Sequence, residues 1–103
     1  MKYQLVLQFP ANSLADYDEM IALEDELIEA LGESAKVDGH DCGSGEMNIF
    51  VHTDEPTRTF ERIHPVVANR EMFQHFVAVY REFSAEEYRV LWPAGFDTRF
   101  RIK

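Results

Sequence analysis

The residue types best suited to chemistry lie close together in the segment DGHDCGSGEMNIFV, residues 38–51. These fourteen positions hold three glycines, three acidic residues, one histidine and the single cysteine of the chain. A carboxylate beside an imidazole can orient the ring and raise its pKa, which suits general base catalysis near neutral pH. Asp38, His40 and Glu46 are therefore the candidate catalytic residues. The interpretation that we favour is ordinary polar pairing around a tight hairpin, with acid/base catalysis and metal binding as the alternatives.

The same segment is part of a predicted β-hairpin. SAKVDGHD and EMNIFVHT resemble two short strands around a glycine-rich turn. A loop of residues 43–45 places Val37 on the aliphatic face of the second strand, whereas a loop of two or four residues drives Asp38 and His40 into the core. Because burying two unpaired polar groups costs several kcal/mol, we favour the three-residue loop.

In this register the polar side chains share the face of the sheet that no helix covers. The residues expected on this face are Asp38, His40, Cys42, Glu46, Asn48 and His52, together with the apolar Phe50. We take Asn48, Phe50 and His52 as candidate binding residues. Trp92 is expected to anchor the last strand in the core, and the alternative is that it is a binding residue in a pocket or subunit contact. The spacing of the histidines and acids matches no established zinc or iron motif, so we predict no metal site and no cofactor.

A strand and a helix are predicted before this hairpin. Residues 2–9 alternate with the period of two expected of a strand with one buried face, and Pro10 ends that strand. The first helix is expected to begin with Ser13 as N-cap and to end near Leu31, where Gly32 stops it. Its apolar stripe comprises Leu14, Tyr17, Ile21, Leu27, Ile28 and Leu31.

A second helix and a second hairpin follow. Thr53 or Asp54 is expected to cap the helix, and Pro65 to kink or end it. Its sheet-facing residues are Phe60, Ile63 and Val67. Two strands, over residues 73–82 and 88–92, are predicted to form the second hairpin. The alternative for the first of them is a helix over residues 73–83.

This order of elements predicts an α+β fold. A strand, helix, strand, strand, helix and strand form the ferredoxin-like βαββαβ arrangement, here with an extra C-terminal edge strand. Two helices are expected to cover one face of an antiparallel sheet. A single domain would span residues 1–95, followed by a basic tail over residues 96–103.

Charge is unevenly distributed along the chain, whose formal net charge is −9. Residues 1–55 carry thirteen acids and two bases, a net charge of −11, and residues 56–103 carry six acids and eight bases, a net charge of +2. This balance argues against nucleic acid as a partner, because phosphate binding depends on clustered Lys and Arg. The acids of the first helix form either a solvated face or a docking face for a basic protein partner, as in an inhibitor of the immunity type. The candidate docking face is Glu19, Asp25, Glu26 and Glu29.

Composition also limits the compartment and the assembly. One cysteine cannot form an internal disulfide, and no apolar run approaches the roughly 18 to 20 residues that span a bilayer. We therefore expect a cytoplasmic protein without a membrane partner. The uncovered sheet face would leave Val6 and Phe50 exposed, which favours a homodimer through that face.

Three stretches carry a resemblance to known sequences. The segment DGHDCGSGEMNIFVHTDEP, together with YREF and the later YRVLWP, resembles a family of small, uncharacterised bacterial proteins of similar length. Some members have a transporter-related label, but this chain has no G-x-x-x-x-G-K-[ST] phosphate loop, which gives no support to an ATPase role. The resemblance implies no catalytic residues.

The leading functional hypothesis is a cytoplasmic, non-enzymatic binding domain. One alternative is a small acid/base or metal-assisted enzyme that uses His40 with Asp38 and Glu46. The other alternative is an acidic inhibitor of a basic enzyme.

Overall fold

The protein is built from one sheet and two helices. A computed structural model describes residues 1–10, 14–43, 45–70 and 75–93. The elements are β1 Tyr3–Pro10, α1 Leu14–Leu31, β2 Lys36–Gly43, β3 Glu46–Thr53, α2 Pro56–Ala68, β4 Val77–Glu82 and β5 Arg89–Trp92. The five strands are antiparallel and lie in the order β2-β3-β1-β4-β5. The predicted α+β class, with an antiparallel sheet and two helices, is confirmed.

Strand β1 lies at the centre of the sheet and is buried on both faces. Leu5 and Leu7 on one face and Val6 on the other have no exposed surface. Val6 lies opposite Phe50 on β3 and opposite Val79 on β4. The expectations of a single buried face and of an exposed Val6 are therefore wrong. A central strand has cross-strand neighbours on both sides, and both neighbours of Val6 are apolar.

Helix α1 packs against the rest of the core through a narrow apolar stripe. The stripe consists of Met20, Leu23, Leu27 and Leu31, each at most 2% exposed. Ile28 was expected to belong to it but is 52% exposed. At 100° per residue, Ile28 lies about 80° around the helix from Met20, whereas Glu24 lies only about 40° away. A carboxylate therefore occupies the margin of the core, where it needs a polar partner.

The hairpin of β2 and β3 departs from its predicted register. The observed pairs are Val37 with Val51, Gly39 with Phe50, His40 with Ile49, and Gly43 with Glu46. Two residues rather than three separate the paired ends of the strands, so the predicted three-residue loop is wrong. Asp38 is the extra residue of a β-bulge between Val37 and Gly39. Val37 still lies on the helix side, as expected.

This bulge resolves the conflict that made a two-residue turn look unfavourable. It moves Asp38 to the outer face and brings His40 to the helix side, opposite Ile49. Gly39 forms the bulge with a φ of 122°, which residues with a Cβ rarely adopt. The expectation that His40 lies on the uncovered face is therefore wrong.

Helix α2 packs its predicted residues inward. Phe60, Ile63 and Val67 are buried, and the helix ends three residues after Pro65. Neither Thr53 nor Asp54 is the cap residue, since Glu55 occupies that position and makes no side-chain cap hydrogen bond. Instead the Thr53 hydroxyl accepts a hydrogen bond from the Glu55 N–H at 3.0 Å and shares a second one with Thr59.

The last two strands form the predicted second hairpin. Residues 77–82 form a strand, so the alternative of a helix is wrong for this range. Residues 11–13, 71–74 and 94–103, which include the predicted N-cap and the predicted basic tail, lie outside the described residues. Neither described helix is long and apolar enough to cross a membrane.

The bulge geometry predicts an asymmetry between two glycines of β2. A Cβ built on Gly39 meets no atom within 4 Å, so a Gly39→Ala substitution would strain only the backbone. We expect it to lower the free energy of unfolding by about 1–3 kcal/mol, measured by urea denaturation. Gly43 does not have a positive φ, and Gly43→Ala, the matched control, should change stability by less than about 1 kcal/mol. Equal effects at the two positions would contradict the role assigned to the bulge.

Candidate functional site

His40 lies between β2 and α1, and both of its ring nitrogens have partners. Nδ1 is 3.2 Å from each carboxylate oxygen of Glu24, and Nε2 is 3.1 Å from the hydroxyl of Tyr17. An ionised carboxylate only accepts hydrogen bonds, so the neutral tautomer that fits this contact has its ring proton on Nδ1. Nε2 then accepts the hydrogen bond that the Tyr17 hydroxyl donates. The three side chains form a chain of carboxylate, imidazole and phenol.

This chain of groups is partly shielded from water. The side chains of His40 and Glu24 are 28% and 13% exposed, and Tyr17 is half-buried. The ring of Tyr17 meets the imidazole nearly edge to face, with centroids 5.6 Å apart. Burial of a carboxylate to this degree is costly unless it is hydrogen-bonded. His40 provides that hydrogen bond to Glu24, and Glu24 in turn orients the imidazole ring of His40.

A second polar cluster lies on the opposite face of the sheet. Asp38 Oδ2 is 3.2 Å from His52 Nε2, and its Oδ1 is 3.9 Å from Lys36 Nζ. The ring of Phe83 meets His52 at right angles, with centroids 4.8 Å apart. Because Asp38 is 43% exposed, these two contacts are screened by water and contribute little stability.

The structure therefore separates the three candidate catalytic residues. His40 lies on the helix side and Asp38 on the outer face, while Glu46 begins β3 opposite Gly43 at the turn. The carboxylate that contacts His40 is Glu24, which sequence reasoning missed. Its position near the apolar stripe of α1, with no neighbouring base in sequence, was the available indication that it has a distant partner.

Asn48 is the most deeply placed of the candidate binding residues. Its side chain has no exposed surface, and its Oδ1 accepts a hydrogen bond from Gln8 Nε2 at 3.0 Å. In the part of the chain that the structure describes, its Nδ2 has no hydrogen-bond partner. Phe50 and His52 on the same strand are half-buried. The predicted row of polar side chains is thus only partly accessible.

Trp92, the remaining candidate binding residue, packs against the core. Its ring centroid lies 4.5 Å from that of His64 and 6.2 Å from that of Phe76. His64 in turn stacks on Phe60 at 5.3 Å with an interplanar angle of 16°. These contacts match the interpretation in which Trp92 anchors the last strand.

Cys42 is exposed, but its surroundings do not favour the thiolate. Partial desolvation and the neighbouring Asp41 carboxylate raise the pKa of the Cys42 thiol above its ordinary value. A thiol with a raised pKa is a poor nucleophile and a poor metal ligand at neutral pH. Within residues 1–10, 14–43, 45–70 and 75–93, no three His, Cys, Asp or Glu side chains are arranged to hold a metal ion.

The acidic residues of the predicted docking face fall into two groups. Arg70, which follows α2, donates hydrogen bonds to Glu19 at 2.6 Å and to Glu26. The hydrogen bond with Glu26 is the main cause that raises the pKa of the Arg70 guanidinium. Asp25 and Glu29 are exposed. The predicted face therefore contains a bridge between α1 and the end of α2 as well as free carboxylates.

The contacts of His40 predict a specific loss of stability when it is truncated. His40→Ala leaves the Glu24 carboxylate, which is 13% exposed, without its partner, and we expect it to lower the free energy of unfolding by about 1–3 kcal/mol. Adding Glu24→Leu removes the unpaired charge and should restore part of this loss. The control is His75→Ala at an exposed position, expected to change stability by less than about 0.5 kcal/mol. If His40→Ala and His75→Ala lowered the free energy of unfolding equally and only slightly in urea denaturation, the contact between His40 and Glu24 would contribute no measurable stability.

Comparisons with known proteins provide no relative for this chain. No protein-family model matches it, and no curated protein and no solved structure matches it. The resemblance to small bacterial proteins therefore stays a prediction.

Proposed function

We propose that this protein is a non-enzymatic binding domain that presents the outer face of α1 to a basic protein. The main support for this proposal is the position of three acidic residues on α1, which are Asp18, Asp25 and Glu29. All three are exposed and lie on the side of α1 opposite its buried stripe. We call these three residues the outer acidic face.

The outer acidic face is a regular array on a well-anchored element. Relative to Met20, the three residues lie about 140° to 180° around the helix. They therefore point away from the core in one direction, one helical turn or two apart. Fixed carboxylates of one sign attract a partner of opposite sign and accelerate its association, most strongly at low salt.

Arg70 supports the proposal by restraining the helix. The Arg70 side chain is 19% exposed, and its guanidinium contacts Glu19 and Glu26, whose side chains are about half exposed. These contacts connect α1 to the segment after α2 and partly neutralise the two glutamates. Charge reversal at Glu19 or Glu26 would disturb this bridge, so the outer acidic face is the better target for testing a partner.

Three further features belong to the proposal. A ferredoxin-like arrangement is supported by the order of the seven elements and by the position of β1 between β3 and β4. A cytoplasmic location is supported by the single cysteine. Kinship with the small bacterial proteins is supported by the motifs that carry the resemblance.

Charge reversal tests the proposed surface directly. We expect the full chain to form a complex at low salt with at least one member of a panel of basic ribonucleases and DNases. The triple variant Asp18→Lys, Asp25→Lys, Glu29→Lys should weaken this complex at least about tenfold in a calorimetric titration. The matched control reverses exposed acids elsewhere, Glu61, Glu86 and Glu87, and changes the net charge equally.

The two variants separate a specific face from diffuse attraction. The control should keep its affinity within about twofold of the unaltered chain, because these acids lie outside the proposed surface. An equal loss in both variants would show attraction by net charge alone. If no member of the panel binds the unaltered chain, the inhibitor form of the proposal is rejected.

The predicted homodimer is tested separately. Val6 and Val79 are buried within one chain, so the apolar surface left on the outer face is limited to residues such as Phe50, half-buried, and Phe83, 42% exposed. Light scattering at micromolar concentration should give twice the mass of one chain, and Phe83→Ser should lower it. The mass of a single chain would remove the homodimer from the proposal.

A further inference from the structure

Tyr17 has a position that the binding function does not use. Its hydroxyl is 3.1 Å from His40 Nε2, and His40 Nδ1 is held by Glu24. We propose that Tyr17 is a nucleophile that accepts an acyl group from an activated ester, with His40 as its general base. The structure thus assigns a site of covalent modification on the face of α1 that points toward β2.

The surroundings of Tyr17 supply a base, which an isolated phenol needs in order to act as a nucleophile. An ordinary phenol is protonated at neutral pH and is a weak nucleophile until a base removes its proton. His40 Nε2 lies within hydrogen-bond reach of the phenol, and it can accept the phenol proton in the tautomer that has its ring proton on Nδ1. Glu24 fixes this tautomer and stabilises the imidazolium that forms, the role of the carboxylate in a Ser-His-Asp triad.

The proposed step is balanced without an oxidant or a reductant. The Tyr17 oxygen attacks the carbonyl carbon of the ester while its proton moves to His40 Nε2. The new bond joins the tyrosine oxygen to the acyl carbon, and the bond between that carbon and the leaving alcohol breaks. The leaving oxygen takes the electron pair of that bond and the proton from Nε2. The products are O-acyl-Tyr17, the free alcohol and neutral His40.

The chain contains its own reference tyrosines. Tyr3, Tyr80 and Tyr88 are half-buried like Tyr17, so differences in access to a reagent are limited. Tyr3 and Tyr80 meet edge to face at 5.9 Å, and the Arg81 guanidinium lies 5.7 Å from the centre of the Tyr88 ring. A higher reactivity of Tyr17 than of these three would therefore report its local chemistry.

The experiment treats the full chain with p-nitrophenyl acetate at neutral pH and low reagent excess. Peptide mapping by mass spectrometry gives the rate of acetylation at each tyrosine. We expect Tyr17 to be acetylated at least about tenfold faster than the reference tyrosines, since a positioned base contributes typically 10²–10⁴-fold. Equal rates at all four tyrosines, or an acetyl group retained on His40 instead of Tyr17, would overturn the proposal.

Variants identify the base. His40→Gln should reduce the rate at Tyr17 to that of the reference tyrosines, and Glu24→Gln, which keeps a hydrogen-bond acceptor but not the charge, should reduce it in part. The control His75→Gln changes an exposed histidine outside this cluster and should leave the rate unchanged. Urea unfolding checks that each variant is folded, and Glu24→Gln decides the question if His40→Gln is not. An undiminished rate at Tyr17 in the folded variants would refute a base in this role.

Discussion

The β-bulge at Asp38 is the local feature on which the arrangement of the polar residues depends. It inserts one residue between Val37 and Gly39. The alternation of side chains between the two faces of the sheet therefore shifts by one residue after the bulge. Val37 and His40, three positions apart, consequently lie on the same side of the sheet, and Asp38 joins His52 on the other side. Without the bulge the aliphatic residues and His40 could not both have their observed environments.

The general fold could be predicted because periodicity and turn residues determine it directly. Both hairpins, both helices and the stop at Gly32 follow from local patterns. The hairpin register could not be predicted, because it depends on whether a glycine takes a positive φ inside a strand. Gly39 permits this conformation, but the same residue type in a strand is also compatible with regular pairing. A comparison of loop lengths alone therefore excluded the observed hairpin, which combines a two-residue turn with a bulge at Asp38.

The partner of His40 was missed for a different physical reason. Asp38 lies two positions from His40, and residues at that spacing share a face in a regular strand, so Asp38 was the natural candidate. The bulge instead places the two side chains on opposite faces. Glu24 lies sixteen residues earlier, on another element. Its contact with His40 depends on the rotation of α1 about its own axis. That rotation is determined by which apolar residues pack inward, and the exposure of Ile28 shows that the predicted stripe was rotated from the observed one.

The rotation of α1 also divides its charged residues by role. With Met20 and Leu27 facing the core, one flank brings Glu24 to His40, and the other brings Glu19 to Arg70. Only the remaining side, opposite the core, presents carboxylates that the fold itself does not require. If every acid of α1 made an internal contact, no carboxylate would be available to a partner. The contacts of Glu24 and Glu19 in turn help to hold the helix in its observed rotation. The proposed binding surface and the proposed reactive tyrosine can coexist on α1 because the buried stripe holds them on different sides of the helix.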